Sequence, residues 1–237
     1  MEKIDDILVI IPARSGSKGL PDKNIKEFNG EPLVVKTLKQ ALRIFPKENI
    51  FVSTDSSKYQ SIIAQHVKFQ IKELRPSKLS NDDSNNDGYI SHALSLTKEN
   101  IKLKWALILQ CTSPLRTDKD IYGIINRRNK NIDLISSVFS TKSNPYYLHR
   151  IISPEGYLQP VLQNNFRRRQ DCPEVYELNG AMFLLNINSF RANDHTMFNL
   201  KKTIPYKMPI ERSLDLDTEF DFKMAELVEL LINETSQ

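Results

Sequence analysis

An α/β fold, with a mostly parallel sheet flanked by helices, is the class this sequence predicts, on three observations. Ile7 to Ile11 is an unbroken apolar run, the pattern of a strand covered on both faces. Strand-like and helix-like segments then alternate about four times, the rhythm of repeated strand–helix–strand units. Polar loops follow the apolar runs, at the strand ends where such sheets keep their ligand contacts.

In chain order, Pro12 ends the first ladder and sends the chain into the loop that runs to Asn24. Glu27 to Pro32 is a turn, and Pro32 suits the first turn of a helix carrying Leu33, Val34, Leu38, Ala41, Leu42 and Phe45. A strand is expected at Ile50 to Thr54, a helix at Ser57 to His66, and a further strand near Val67 to Leu74. Arg75 to Gly88 is polar apart from Leu79, and a loop of that length needs a purpose. Tyr89 to Asn100 reads as a helix, Trp105 to Gln110 as a buried strand, Asp118 to Lys130 as a helix and Asp133 to Phe139 as a strand. The rhythm changes after Ser140, where Asn144-Pro145-Tyr146-Tyr147, Tyr157 to Leu162 and Arg167-Arg168-Arg169 make short segments with the look of an insertion. Tyr176 to Asn186 returns to a strand, and Thr203 to Met208, with Pro205 inside it, is an edge strand. Thr218 to Ile232 closes as an amphipathic helix.

At 237 residues the chain is one large domain or a domain with a small lobe. Hydrophobic residues at 40% and charged residues at 26% are ordinary globular values, which exclude disordered, collagen-like and membrane classes. The start lacks the pattern of a cleavable signal and the two cysteines are too few for a disulfide framework, so the expected location is cytoplasmic, with no membrane partner. A net charge of +4 is too small to imply nucleic acid. The cations are unevenly placed, which points instead to an anionic substrate.

The loop after the first strand holds Arg14, Lys18 and Lys23 among Ser15, Gly16, Ser17 and Gly19. Small residues let backbone N–H groups approach a ligand while three cations neutralise it, so the loop looks built for phosphate. It matches neither a Walker loop, since Gly19 rather than a hydroxyl follows Lys18, nor a dinucleotide fingerprint, whose third glycine is missing. A solvated basic loop is the plainer alternative. Asp215-Leu216-Asp217 is the second informative site, because in extended backbone the two carboxylates share one face about 7 Å apart, a spacing that suits a hydrated hard cation such as magnesium. Capping of the last helix by Asp217 or Thr218 with Asp221 explains one acid equally well, but not Asp215. Gln110 to Arg116 places polar groups just past a buried strand, with Arg116 leaning to a structural duty. Arg167 to Arg169 is either a solvated patch or a carboxylate or phosphate binder. The four histidines form no metal-ligand pair and neither Cys111 nor Cys172 has a neighbouring histidine, so zinc and covalent chemistry find no support.

Several ordered motifs together resemble the acylneuraminate cytidylyltransferases, or CMP-sialic acid synthetases, over nearly the whole chain. They are Ile11 to Gly19 with Lys23-Asn24, Arg75-Pro76 with Leu79, Leu109-Gln110 with Thr112 to Arg116, Arg169-Gln170, Asn179-Gly180-Ala181, and Asp215 to Thr218. Asn144-Pro145-Tyr146 and the run Arg168 to Gly180 resemble the bacterial sialic and legionaminic acid branch. The resemblance implies a Rossmann-like nucleotidyltransferase fold. It also implies attack by the anomeric hydroxyl of a nine-carbon 2-keto sugar acid on the α-phosphate of CTP, with magnesium required. By position Arg14, Lys18 and Lys23 would hold the triphosphate and Asn24 would sit on the nucleotide, while Arg75 and the loop near Ser84 would read cytosine. Asp215 and Asp217 would bind the metal, and Gln110, Arg169, Gln170, Asn179 and Phe183 would face the sugar. The segment from about 140 to 178 would be a dimerisation lobe inserted in a single domain spanning 1–237, making a homodimer. Cys111 stands where the family often has Pro, Tyr147 and Glu177 where the sialic acid enzymes have basic residues, and Phe183 where some have Tyr, departures that bear on the identity of the sugar. An eight-carbon keto-deoxy sugar, a sugar 1-phosphate, or a non-catalytic nucleotide-binding role are the competing readings.

Overall fold

The computed structural model describes residues 4–16, 19–80, 86–97 and 102–234, with residue 86 described in its backbone only. In chain order the elements are β1 (Ile7–Pro12), β2 (Glu27–Phe28), β3 (Glu31–Pro32), α1 (Leu33–Ile44), β4 (Ile50–Ser53), α2 (Ser57–His66), α3 (Asn86–Leu96) and β5 (Trp105–Leu109). There follow α4 (Asp118–Ile125), β6 (Leu134–Ser140), β7 (Arg150–Ile152), β8 (Leu158–Pro160), β9 (Tyr176–Asn186), α5 (Ile187–Ala192), β10 (Thr203–Lys207) and α6 (Glu219–Glu234).

Six strands make the main sheet in the order β10-β6-β9-β5-β1-β4. β1 pairs in parallel with β4 and β5, and β10 pairs in parallel with β6. β9 runs against both β5 and β6. The sheet is therefore mostly parallel, as the sequence predicts, with one reversed strand joining its two halves. β1 and β5 are buried along their length because both faces are covered. One core includes Val34 and Leu38 of α1, Tyr59 and Ile63 of α2, Ile121 and Ile124 of α4 and Phe222 of α6. The other includes Ile90 and Ala93 of α3 and Phe190 of α5.

Residues 67–74 differ from expectation. Val67, Phe69 and Ile71 have the spacing of a strand, yet no strand forms there. Phe69 N–H turns back to the Val67 carbonyl, and Phe69 and Ile71 bury into the first core. Burial is satisfied without a ladder, so the alternation misleads. α3 begins at Asn86 rather than Tyr89, and α4 ends at Ile125 rather than near Lys130. α5 was not anticipated, although Asn186, whose side chain accepts from the N–H groups of Asn188 and Ser189, is a sound starting signal for it. β10 is an edge strand, and Pro205 sits within it. β7 and β8 form a separate antiparallel pair. No helix among the described residues is long and apolar enough to cross a membrane.

Candidate active site

The loop after β1 is tied down at several points. Asn24 is buried and its amide Nδ2 donates to the Arg14 carbonyl at 2.9 Å, closing the neck of the loop. Ser15 donates to Asp55 from both its N–H (2.9 Å) and its hydroxyl (3.1 Å). Asp22 adopts a left-handed backbone with φ 56°, and its carboxylate accepts from Lys58 Nζ at 2.6 Å and from the buried Tyr59 hydroxyl at 3.1 Å. Arg14 donates from Nη1 to the Ser80 carbonyl at 3.4 Å. Lys18 and Ser84, both expected at the nucleotide, lie outside the described residues.

The acidic pair meets this loop. Lys23 Nζ lies 2.6 Å from Asp217 Oδ1, and a Cβ added at Gly19 would stand 3.0 Å from the Asp217 carbonyl oxygen. Leu216 is fully buried and its N–H donates to the Thr112 carbonyl at 2.9 Å, so the residues on either side of it are turned outward. Gly180 has φ +69°, and a Cβ there would come 3.9 Å from Asp215 Oδ2. Desolvation raises the Asp215 pKa above the usual carboxylate range and the Asp217 charge adds to it, against the Thr112 hydrogen bond and the Lys23 charge. Helix capping falls to other groups. The Asp221 N–H donates to Thr218 Oγ1 at 3.2 Å, and Asp221 Oδ2 accepts from the N–H groups of Thr218 at 2.7 Å and Asp217 at 3.1 Å. Neither the Asp215 nor the Asp217 carboxylate is spent on the cap.

That donor set fits a hard divalent cation. Among the described residues no group of three or more His, Cys, Asp or Glu is placed to hold a metal. Two outward carboxylates beside a basic loop match an ion that takes one or two protein carboxylates and fills the rest of its sphere with water and phosphate oxygens.

Buried polar contacts hold the acidic segment in place. Asn179 Oδ1 accepts from the Ser137 hydroxyl at 2.6 Å and the Ala181 N–H at 3.1 Å, while Nδ2 donates to Ser213 Oγ at 2.9 Å. Asn179, expected at the sugar, therefore spends its amide on joining β6 and β9 to the approach to Asp215. Arg116 is buried and donates to Gln40 Oε1 at 3.1 Å and to the carbonyls of Gln110 at 3.2 Å and Ala181 at 2.8 Å. Burial lowers its pKa to about 10, the mark of an internal tie rather than a ligand-facing cation. Arg212 grips Asp120 with Nε at 3.1 Å and Nη2 at 2.9 Å. Cys111 is buried with its pKa pushed up to about 12, consistent with a packing residue.

The remaining candidates are spread more widely. Arg75 is buried, donates to Ser53 Oγ at 2.9 Å and the Ser53 carbonyl at 2.7 Å, and lies over the Tyr89 ring at 5.2 Å. Gln110 is half-buried just beyond β5. Phe183 is buried in the second core and meets Phe198 edge-on, with ring centroids 5.8 Å apart. Arg169 and Gln170 are exposed in a turn between β8 and β9, beside the Arg168–Asp171 ion pair. The structure thus joins Arg14, Lys23, Asn24, Asp215 and Asp217 through a chain of contacts, and links Arg169 and Gln170 to none of them. Asp55, Asp22 and Tyr59 escaped the sequence reading; a polar Thr54-Asp55-Ser56 directly after a buried strand was their one available signal. A cavity of about 450 Å³ between α1, α4 and α6 contains none of the described loop or acid residues, and Lys36, Lys39 and Arg43 on its wall are ion-paired.

A family model described as Cytidylyltransferase matches residues 8–233. The N-acylneuraminate cytidylyltransferase of Streptococcus agalactiae serotype V is 35% identical over 219 residues, covering 91% of this chain and 51% of that protein. The chain thus spans about half the length of that curated relative. The CMP-N,N'-diacetyllegionaminic acid synthase of Legionella pneumophila is 29% identical over 227 residues, covering 94% of this chain and 97% of that one. The solved structure of CMP:2-keto-3-deoxy-manno-octonic acid synthetase complexed with CTP superposes with a TM-score of 0.65 over 97% of this chain and all of that one, at 12% identity, a likeness of fold alone.

Proposed function

The chain belongs to the cytidylyltransferase family, and from that premise we propose that it transfers the cytidylyl group of CTP to a nine-carbon, sialic-acid-like 2-keto sugar acid, giving the CMP-sugar and pyrophosphate. The observation that carries this reading is the 2.6 Å pair of Lys23 with Asp217, which brings a cationic loop and an acidic pair to one place. The relatives named for sialic and legionaminic acids support the acceptor class.

Arg14, Lys18 and Lys23 grip the triphosphate and spread the charge that builds on the α-phosphate. Asn24 and Arg75 orient the nucleoside, with the loop near Ser84 on cytosine. Gln110, Arg169, Gln170, Asn179 and Phe183 form or support the sugar side, Arg169 taking the sugar carboxylate. The anomeric oxygen bonds to the α-phosphorus, the bond to the β-phosphate bridge breaks, and pyrophosphate leaves. One carboxylate of the acidic pair takes the hydroxyl proton. Asp215 and Asp217 would hold magnesium, which would supply positive charge to neutralise phosphate oxygens.

Residues 1–237 make one catalytic domain whose lobe, about 140–178, joins two copies. Exposure of Ile152 at 73%, Tyr157 at 71% and Leu158 at 72% supports such a homodimer. CTP as co-substrate and two free cysteines favour the cytoplasm. Pyrophosphate release measured with CTP, magnesium and a panel of nine-carbon and eight-carbon keto sugar acids, with UTP, GTP and ATP as controls, tests the reading. Turnover confined to nine-carbon acids and CTP is expected. No turnover with any of them overturns it.

A further inference from the structure

The ladder between β1 and β4 does not stop where the strands do. The Ala13 N–H donates to the Ser53 carbonyl at 2.8 Å. Two residues further along both segments, the Ser15 N–H donates to Asp55 Oδ1 at 2.9 Å. The rung is kept, but its acceptor has changed from a peptide carbonyl to a carboxylate, whose Oδ2 also takes the Ser15 hydroxyl at 3.1 Å.

A carboxylate set against a phosphate loop is an odd neighbour, because it competes with phosphate for N–H donors. Here it engages Ser15 at the loop's start, while Asn24 holds the Arg14 carbonyl from the loop's far end. Both edges of the loop are pinned, and Gly16 between them is exposed. Asp55 also stands among the cations: its charge and that of Arg14 act on the Arg75 guanidinium in opposite senses. We propose that Asp55 is a positioning residue that holds the loop in the shape that receives the triphosphate, acting through Ser15 and not by touching the nucleotide. This rests on the reading of the loop as the CTP site. Without the clamp Ser15 samples more conformations, and ordering it opposes nucleotide binding. The sugar acid, held by other elements, does not feel the change.

The test combines CTP titration calorimetry in magnesium buffer with steady-state kinetics for both substrates. It uses wild type, Asp55→Ala, Asp55→Asn, Ser15→Ala and the Asp55→Ala/Ser15→Ala double variant, with thermal midpoints to check the fold. Asp55→Ala is expected to raise the Kd and KM for CTP about tenfold and leave the sugar KM within about twofold. Asp55→Asn, which keeps an acceptor oxygen, recovers part of that loss, and the double variant is no worse than Asp55→Ala alone. If Asp55→Ala does not fold, Ser15→Ala carries the test, with an expected rise in CTP Kd of about threefold. Unchanged CTP binding, an equal rise in both KM values, or additive losses in the double variant would overturn the role of Asp55. Wild type that binds CTP but turns over no sugar acid defeats the functional reading, while the calorimetry still decides Asp55. Wild type that binds no CTP defeats both.

Discussion

Asp215 is ionisable where ionisation is disfavoured: desolvation and the neighbouring Asp217 charge raise its pKa above the ordinary value. The folded state therefore keeps a proton that the unfolded state has lost, and stability falls as pH rises from the usual carboxylate pKa through the raised one. Asp215→Asn removes that penalty at neutral pH. The expected outcome for metal-free protein is a small rise in thermal midpoint at pH 7 that disappears in acid, together with a loss of kcat of roughly a hundredfold or more in the magnesium-loaded enzyme if Asp215 holds the metal as proposed. Unaltered turnover at limiting magnesium would remove Asp215 from the site. Arg169→Ala tests the other substrate. A raised sugar KM with CTP KM unchanged is expected, and a parallel loss of CTP binding would place Arg169 elsewhere.

At the scale of elements, α4 shows how much rests on one acid. Thr117 and Asp120 form a capping box, Tyr206 reaches Asp120 Oδ1 at 3.3 Å, and Arg212 binds both carboxylate oxygens, so the start of α4, β10 and the approach to Asp215 converge on one buried group. Desolvation pushes the Asp120 pKa up, but the hydrogen bonds from Arg212 and Thr117 outweigh it and leave it below the usual value. Its contribution is thus present above the unfolded carboxylate pKa and lost as pH falls through the lowered one. Asp120→Ala leaves Arg212 without its partner and should cost about 3 kcal/mol, a fall of roughly 6–12 °C in midpoint by calorimetry. Elements also divide what the sequence disclosed from what it hid. Ile7 to Ile11 and Trp105 to Leu109 were legible because two-sided burial demands a continuous apolar run. Phe69 and Ile71 misled because alternation reports burial on one side, not the presence of a pairing partner. Arg14, Lys23 and the Asp215–Asp217 pair were legible as clustered charge, whereas Asp55 was not, since its meaning depends on Ser15, a residue 40 positions away.

For the molecule as a whole, the segment carrying β7 and β8 presents its apolar side chains outward. Ile152→Asp with Leu158→Asp should halve the mass seen by light scattering and leave the circular dichroism of the main sheet unchanged. Activity should fall with dimer content, because Arg169 sits on this segment and not beside Asp215. A variant that stays dimeric would move the interface to another surface. The contact between Lys23 and Asp217 spans 194 positions of sequence. A nascent chain that has left the ribosome only as far as β10 therefore owns the entire cationic loop and lacks its acidic counterpart. A stop codon between β10 and Asp215 should leave a translation product that holds all six strands of the main sheet yet cannot close the contact between the basic loop and the acidic pair, however well its amino-terminal portion folds.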